Sequence, residues 1–227
     1  GTDEFAYDSF AQLASATRNS LMVGFIAGIS ATLVAVIIGS IAGYLGGITD
    51  DLSQLIVNIM MVFPVFPFLI ILAAFLEDRS LFIVAGIIAA ISWPWAARSI
   101  RSQILSLKER DFVRLAKISA KPGFKIAITE LLPNMTAYII LILAIQTGGA
   151  IAAEAGISMI GFGPDPQKHI TLGTMLYWVL YGESVRSGFW WLYLPPGVIL
   201  TVFFVILYVL QSNLDEIFNP RLRKGGD

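Results

Sequence analysis

The sequence predicts an all-α, polytopic membrane protein with five transmembrane helices, and two observations carry this. Only 14% of the 227 residues are charged and 56% are hydrophobic, giving a mean hydropathy of +0.77. Soluble domains carry roughly a quarter charged residues, so the deficit calls for a non-aqueous solvent. The charge is also absent in blocks: no Asp, Glu, Lys or Arg occurs in 19–49, 52–76, 80–97, 131–153 or 187–214. A bilayer core of about 30 Å takes roughly 20 helical residues. Each block holds one span, and the third is the shortest. A soluble protein with buried helices does not present five such windows in succession. A transmembrane barrel is built from alternating segments of about ten residues, whereas these blocks are continuously apolar.

Several chemistries are excluded at once. A net charge of −1 leaves no electrostatic footprint for nucleic acid. The absence of cysteine removes disulfides and thiolate metal sites. The one histidine, His169, has no partners for a zinc site or a triad and reads as a solvated loop residue. No catalytic residue and no metal ligand is assigned. No GxxxxGK[ST] loop occurs, so any ATP must bind on another chain.

Residues 1–18 read as an external segment ending in a short amphipathic helix, with Phe10, Leu13 and Ala14 on one face. The transmembrane domain is 19–227. Its first span, about 20–46, carries Gly24, Gly28, Gly39 and Gly43, followed by Gly46 and Gly47. Small residues let helix backbones approach closely in lipid, so packing is the expected role. The second span, about 52–76, contains Pro64 and Pro67 in VFPVFPF. Proline kinks a helix and frees carbonyls, which makes both residues hinge candidates; a packing kink is the expectation ahead of substrate contact. The third span, about 80–98, ends in SWPWAARSIRSQIL, where Trp93 and Trp95 are expected to anchor at the membrane–water boundary.

The loop 99–133 is charged and patterned. Arg114, Lys117 and Lys121 fall on one helical face, and Phe112, Leu115, Ala116 and Ser119 on another. An amphipathic helix of this kind either lies on the anionic leaflet or docks in a groove of a soluble partner. The fourth span, about 134–155, closes with Glu154 in GGAIAAEAGISMIGFG. A carboxylate near membrane depth is a functional-site hypothesis by default; the other reading is a structural carboxylate that caps or pairs across helices. Gln146, Glu154 and Ser158 are the pathway candidates, and Gly148 and Gly149 are further hinge candidates. The external loop 156–187, with Pro164, Pro166, Trp178 and Tyr181, is long enough to expect a role in covering an outer gate or meeting an external partner. The fifth span, about 189–212, is interrupted near its start by Pro195-Pro196-Gly197.

Orientation follows from the basic residues. Eleven of the fifteen Lys and Arg lie between Arg98 and Lys125 or in the tail after the fifth span. The positive-inside rule places that loop and the C-terminus in the cytoplasm, and the short acidic turn at 46–51 falls on the same side. Five spans then put the N-terminus outside. Residues 1–18 carry Asp3, Glu4 and Asp8 and lack the basic region of a signal peptide, so a further span is expected to precede Gly1 in the intact gene.

Beyond these residue-level readings, the 99–133 loop resembles that of bacterial and archaeal ABC-importer permeases, whose pattern is EAA, three residues, Gly, nine residues, Ile, one residue, Leu-Pro. Arg114-Leu115-Ala116 sits at the EAA position, Ala120 at the Gly, Glu130 at the Ile and Leu132-Pro133 at the Leu-Pro. The spacing is intact, and Ala116, Leu132 and Pro133 match in letter. GTDEFAYDSF resembles the GTDxxGRDxxSR segment of the dipeptide/oligopeptide subfamily. WPWAARSIRSQILSLKERDFV is similar to its W…ARxxRxQxLxLxExxYV stretch. EAGISMIGFG resembles its EAxLSFLGxG, and LDEIFNPRLR its LRDxxDPRLR.

The resemblance runs from residue 1 to 223 and implies the second, C-type permease subunit of a peptide-type importer, with the type I permease core and without its first span. It implies a second homologous permease as partner, two cytoplasmic ATPases that carry ATP and Mg, an external substrate-binding protein, and surrounding membrane lipid. The residence implied is the inner or plasma membrane of a bacterium or archaeon. It makes Phe112, Val113, Arg114, Leu115, Ala116, Lys117 and Ala120 the ATPase-coupling helix, with Arg114 and Lys117 meeting acidic groups in place of the family's Glu. This chain would perform no bond chemistry and bind no cofactor. The subfamily serves di- and oligopeptides, and also nickel or, in some thermophiles, oligosaccharides. A channel would need a filter or charged ring, a secondary transporter more spans and an inverted repeat, and an intramembrane protease a catalytic pair; none of these is evident.

Overall fold

The computed structural model describes residues 1–3, 5–76, 78–119, 121–182 and 184–218. In chain order the elements are α1 (Ser9–Leu45), α2 (Gly47–Val62), α3 (Val65–Ala74), α4 (Leu81–Lys108), α5 (Asp111–Ile118) and α6 (Gly123–Ile126). A π-helical turn (Ala127–Leu131) and the single turn α7 (Leu132–Asn134) lead into α8 (Thr136–Met159), α9 (Leu172–Tyr181) and α10 (Trp190–Phe218). The expected all-α membrane fold is what is found.

α1, α4, α8 and α10 are each long and apolar enough to cross a membrane. The expected second span is not one rod. It is the pair α2 and α3, bent by 81°, with extended Phe63 and Pro64 between the two helices. Pro67 sits in the first turn of α3, where no intrahelical acceptor waits for its missing N–H. The direction of packing shows that this pair does cross. Gly39 and Gly43 of α1 lie against Ile100 and Ile104 of α4, so those helices run parallel. Gly24 and Gly28 lie against Ile151 and Thr147 of α8, so that pair runs antiparallel. α1 therefore ends where α4 ends, and the chain from 46 to 80 must return to the other side of the bundle. Its two helices, of 16 and 10 residues, supply about 24 Å and about 15 Å at 1.5 Å per residue, along directions 81° apart.

The small residues of α1 do what was expected of Gly24, Gly28, Gly39 and Gly43. A Cβ on Gly28 would stand 2.8 Å from the Thr147 Cα, and one on Gly39 would stand 2.5 Å from the Ala97 carbonyl oxygen. Such approach is what makes two helices pack in lipid, where no hydrophobic effect drives them together. Gly46 and Gly47 take no part in packing, since a Cβ on either would meet nothing within 4 Å.

Other boundaries differ from the sequence reading. No separate amphipathic helix precedes the first span: α1 is continuous over 37 residues. Phe10 and Ala14 are exposed, and the inward face is Ser9, Leu13, Ala16 and Ser20. α4 passes through Pro94 and continues to Lys108, so 99–108 is helix and the loop begins at Glu109. Trp93 is buried in the main core, which leaves Trp95 as the exposed indole of that pair. α10 runs unbroken through Pro195 and Pro196; as its sixth and seventh residues they lie past the four unpaired amides of the helix start, so the Trp191 and Leu192 carbonyls go without their usual donors.

Candidate functional site

Two clusters stand out, one at each end of the bundle. At the basic end, α5 is an eight-residue helix beneath α4. Its inward face is Val113 and Ala116, both in the main hydrophobic core, with Phe112 packed beside them. Its outward face is Leu115, 65% exposed, and Ile118, 81% exposed. Phe112, Leu115 and Ala116 therefore do not share one face as expected. Leu115 points away from the chain, and Ala116 is spent inside it. Arg114 lies 3.9 Å from each of its own neighbours Glu109 and Asp111, whereas Lys117 makes no ion pair among the described residues. Ala120 lies outside the described residues.

The segment under α5 is tied to the bundle at several points. Lys108 donates to the Tyr44 carbonyl at 2.7 Å, a cation on the negative end of α1. A Cβ on Gly123 would stand 2.7 Å from the Tyr44 ring, so α6 rests directly on the end of α1. Arg101 makes a two-pronged pair with Asp50, and Arg98 donates to Asn58; together they pin α2 to α4. Lys121 and Glu130 pair at 2.6 Å across the turn between α5 and the π-helical segment. The Lys121 ammonium holds the Glu130 carboxyl below the usual carboxylate range. That pairing contributes above the ordinary carboxylate pKa and is lost as pH falls through the lowered one. In Lys121→Met, Glu130 is expected to titrate at higher pH, which carboxyl NMR on glutamate-labelled protein reads directly.

At the opposite end sits Glu154, 0% exposed, near the end of α8. Its carboxylate accepts from Ser158 Oγ at 2.6 Å, from Thr171 Oγ1 at 2.6 Å and from Ser20 Oγ at 3.0 Å. A buried carboxylate without partners costs several kcal/mol at least, by order of magnitude, and three hydroxyl donors offset that. The EAGISMIGFG run now has a physical account. Glu154 accepts, and Ser158 donates from one turn on. Gly161 takes φ +87° as the left-handed stop of α8, with Gly161 N–H on the Ser158 carbonyl at 2.9 Å and Phe162 N–H on the Ile157 carbonyl at 2.8 Å.

Among the described residues, none of the three pathway candidates borders either of the two cavities described for this chain. Glu154 and Ser158 are bonded to each other, and Gln146 donates to the Ser92 carbonyl of α4 at 3.0 Å. All three are buried, and the bonds they make within the chain brace helices together. Gly148 and Gly149 lie in an unbroken stretch of α8, so neither bends the helix in this state. A Cβ on Gly148 would meet Leu207 of α10, and one on Gly149 would meet nothing within 4 Å.

The open space at this end is a cavity of about 400 Å³ that sequence reasoning missed. Asp3, Phe5, Tyr7, Met175, Trp178 and Val179 are among its walls. The GTDEFAYDSF segment builds one side of it. Asp3 accepts from the amides of Phe5 at 2.9 Å and Tyr7 at 2.8 Å, and Asp8 caps α1 through the Phe10 amide. Trp191 of α10 donates to the Thr2 carbonyl at 3.1 Å. Asp3 and Asp8 were visible in the sequence; the cavity that Asp3 borders was not, because Met175, Trp178 and Val179 of its other wall lie more than 160 residues away.

The family whose profile matches residues 35–224 is described as the binding-protein-dependent transport system inner membrane component. Among curated proteins, the chain is 28% identical over 225 residues to the oligopeptide transport system permease protein OppC of Mycobacterium bovis, covering 98% of this chain and 76% of that one. It is 30% identical over 224 residues to the dipeptide transport system permease protein DppC of Bacillus subtilis, covering 99% and 69%. It is 33% identical over 223 residues to OppC of Haemophilus influenzae, covering 98% and 70%. Four apolar helices and one bent apolar pair among the described residues, around a core that holds α5 beneath it, and a family profile spanning most of the chain, lead to one conclusion: the chain belongs to the binding-protein-dependent transport system inner membrane components, the multi-pass permease subunits of ABC importers.

Proposed function

We propose that this permease forms half of a translocation pathway for peptides and is coupled to two cytoplasmic ATPases through α5. The observation that carries the reading is the outward face of α5. A short helix presents Leu115 and Ile118 to solvent beside Lys117, which has no ion pair among the described residues, while its other face is built into the main core. A helix on the leaflet would bury its apolar residues in lipid below a basic rim. Here Glu109 and Asp111 sit beside Arg114 on the exposed side, which suits a protein groove with charges of both signs better than an anionic surface.

In this reading the basic end and the C-terminus are cytoplasmic, and the cavity end faces outward. A second, homologous permease completes the pathway, and an external binding protein delivers the solute. ATP and Mg are handled by the ATPases, and this chain moves without bond chemistry. The relatives' names supply the substrate class: peptide transport is what those proteins are named for. Closure of the ATPases would shift α5, and Tyr44, Gly123 and Lys108 link that shift to the ends of α1 and α4. Coupling of this kind requires two states with different contacts.

The chain has no cysteine, so a single Ile118→Cys places one thiol on the proposed docking face. In the assembled complex it is expected to crosslink to an ATPase subunit, with a yield that changes when ATP is added. Adducts only with lipid-soluble reagents, in a complex that still hydrolyses ATP, would sink the assignment.

A further inference from the structure

α9 has ten residues, about 15 Å of helix, and cannot cross a membrane core of about 30 Å. Its side-chain hydrogen bonds to α1 and α8 are gathered at its first turn. The helix opens on Thr171, whose Oγ1 accepts from the Thr174 amide at 3.1 Å and donates to Glu154 at 2.6 Å. The next amide, of Leu172, donates at 3.0 Å to Ser20 Oγ on α1, and that hydroxyl also donates to Glu154. Two first-turn amides of α9 thus pass through two hydroxyls into one carboxylate. Such amides have no partner within their own helix, and the positive end of a helix favours a negative group. Asn19 adds a bond to the Ile170 carbonyl at 2.7 Å. The fit has no slack, because a Cβ on Gly173 would stand 2.7 Å from the Ala155 Cα of α8.

We propose that Glu154 is a positioning residue: through Ser20, Ser158 and Thr171 it latches the first turn of α9 to α1 and α8, and thereby sets one wall of the cavity at that end. Ile170, Met175, Trp178 and Val179 of that wall all lie on α9 or just before it. A carboxylate is required because each of the three hydroxyls has one hydrogen to give and all three point at Glu154. A carboxamide would present hydrogens to at least one of them and turn that hydroxyl's own hydrogen away from residue 154, breaking one arm of the network. The latch rests on the geometry alone; only its consequence for transport rests on the importer reading.

The absence of native cysteine allows paired spin labels at Ala14 on α1 and Leu180 on α9, both exposed. The parent chain is expected to give a single narrow distance distribution. Glu154→Gln and Thr171→Val are expected to broaden it by at least half, and the double variant to be no broader than the worse single, because both break one network. Glu154→Ala is expected to be broader still; if it does not accumulate, the two milder variants carry the test. Parent-like distributions in Glu154→Gln and Thr171→Val would overturn the latch, and so would strict additivity. In the assembled importer, Glu154→Gln is expected to raise the KM for delivered substrate about fivefold with kcat within about twofold. An unchanged KM would overturn the role at the cavity. A wild-type complex without ATP-driven uptake would overturn the importer reading, while the label distances still decide the latch.

Discussion

Gly28→Ala and Gly39→Ala are each expected to destabilise the bundle by about 1–3 kcal/mol, the range for overpacking a tight interface. The added methyl on Gly39 would meet a carbonyl oxygen at 2.5 Å, and on Gly28 a backbone nitrogen at 2.9 Å. Neither obstacle is the end of a flexible side chain, so a whole helix must move. Gly86 is the internal control. It lies in α4 with nothing within 4 Å of a built Cβ, and Gly86→Ala is expected to leave stability unchanged or raise it by roughly 0.5–1 kcal/mol through the helix preference of alanine. Thermal unfolding of the three variants in one detergent, followed by circular dichroism, makes the comparison. Equal midpoints for all three would mean that α1 is not held by close backbone approach.

Leu115→Asp is expected to reduce ATP-driven uptake at least tenfold in the assembled complex while leaving the fold intact. Burying a leucine against a partner is worth about 1.5–3 kcal/mol, and an unpaired aspartate in the same groove costs more. Because Leu115 is 65% exposed in this chain, its loss should not disturb the core. Ala116→Asp is the instructive contrast. Ala116 is 6% exposed and belongs to the main core, so that variant is expected to lower the unfolding midpoint as well as uptake. Uptake and unfolding measured on both variants separate docking from folding. Full uptake in Leu115→Asp would remove the outward face of α5 from the coupling mechanism.

The places where the sequence reading succeeded and failed have physical causes. Uncharged blocks reveal helices that must satisfy their backbone in lipid, and α1, α4, α8 and α10 were legible for that reason. The same criterion is blind to a helix that continues into water. α4 carries on past its last apolar turn through Arg98, Arg101 and Lys108, and α1 begins well before its own, at Ser9. Pro64 and Pro67 announced a break but not its size, since the 81° bend depends on how α3 seats against α4 and α8. At α5 the periodicity was legible and the inward direction was not: Leu115 is neighbour to both faces on a helical wheel, and only the packing of Val113 and Ala116 into the main core decides which side is inward. Glu154 was legible as an exception. Its partners were not, because Ser20 lies 134 residues away in sequence and no local pattern connects them.

α1 has one further implication, for how the gene can change. A helix of 37 residues is a rigid screw whose two ends are engaged by different neighbours, α8 near Gly24 and Gly28 and α4 near Gly39 and Gly43. Inserting or deleting one residue between Gly28 and Gly39 would turn everything beyond it by about 100° and displace it by about 1.5 Å, so that one pair of glycines could face its groove only if the other faced lipid. Substitution can be absorbed position by position, but a change of length in this stretch puts the two halves out of phase. Only lengthening by near-whole turns preserves the phase, and it would still carry Tyr44 away from Gly123. The reading frame of α1 is thus held by geometry at both ends.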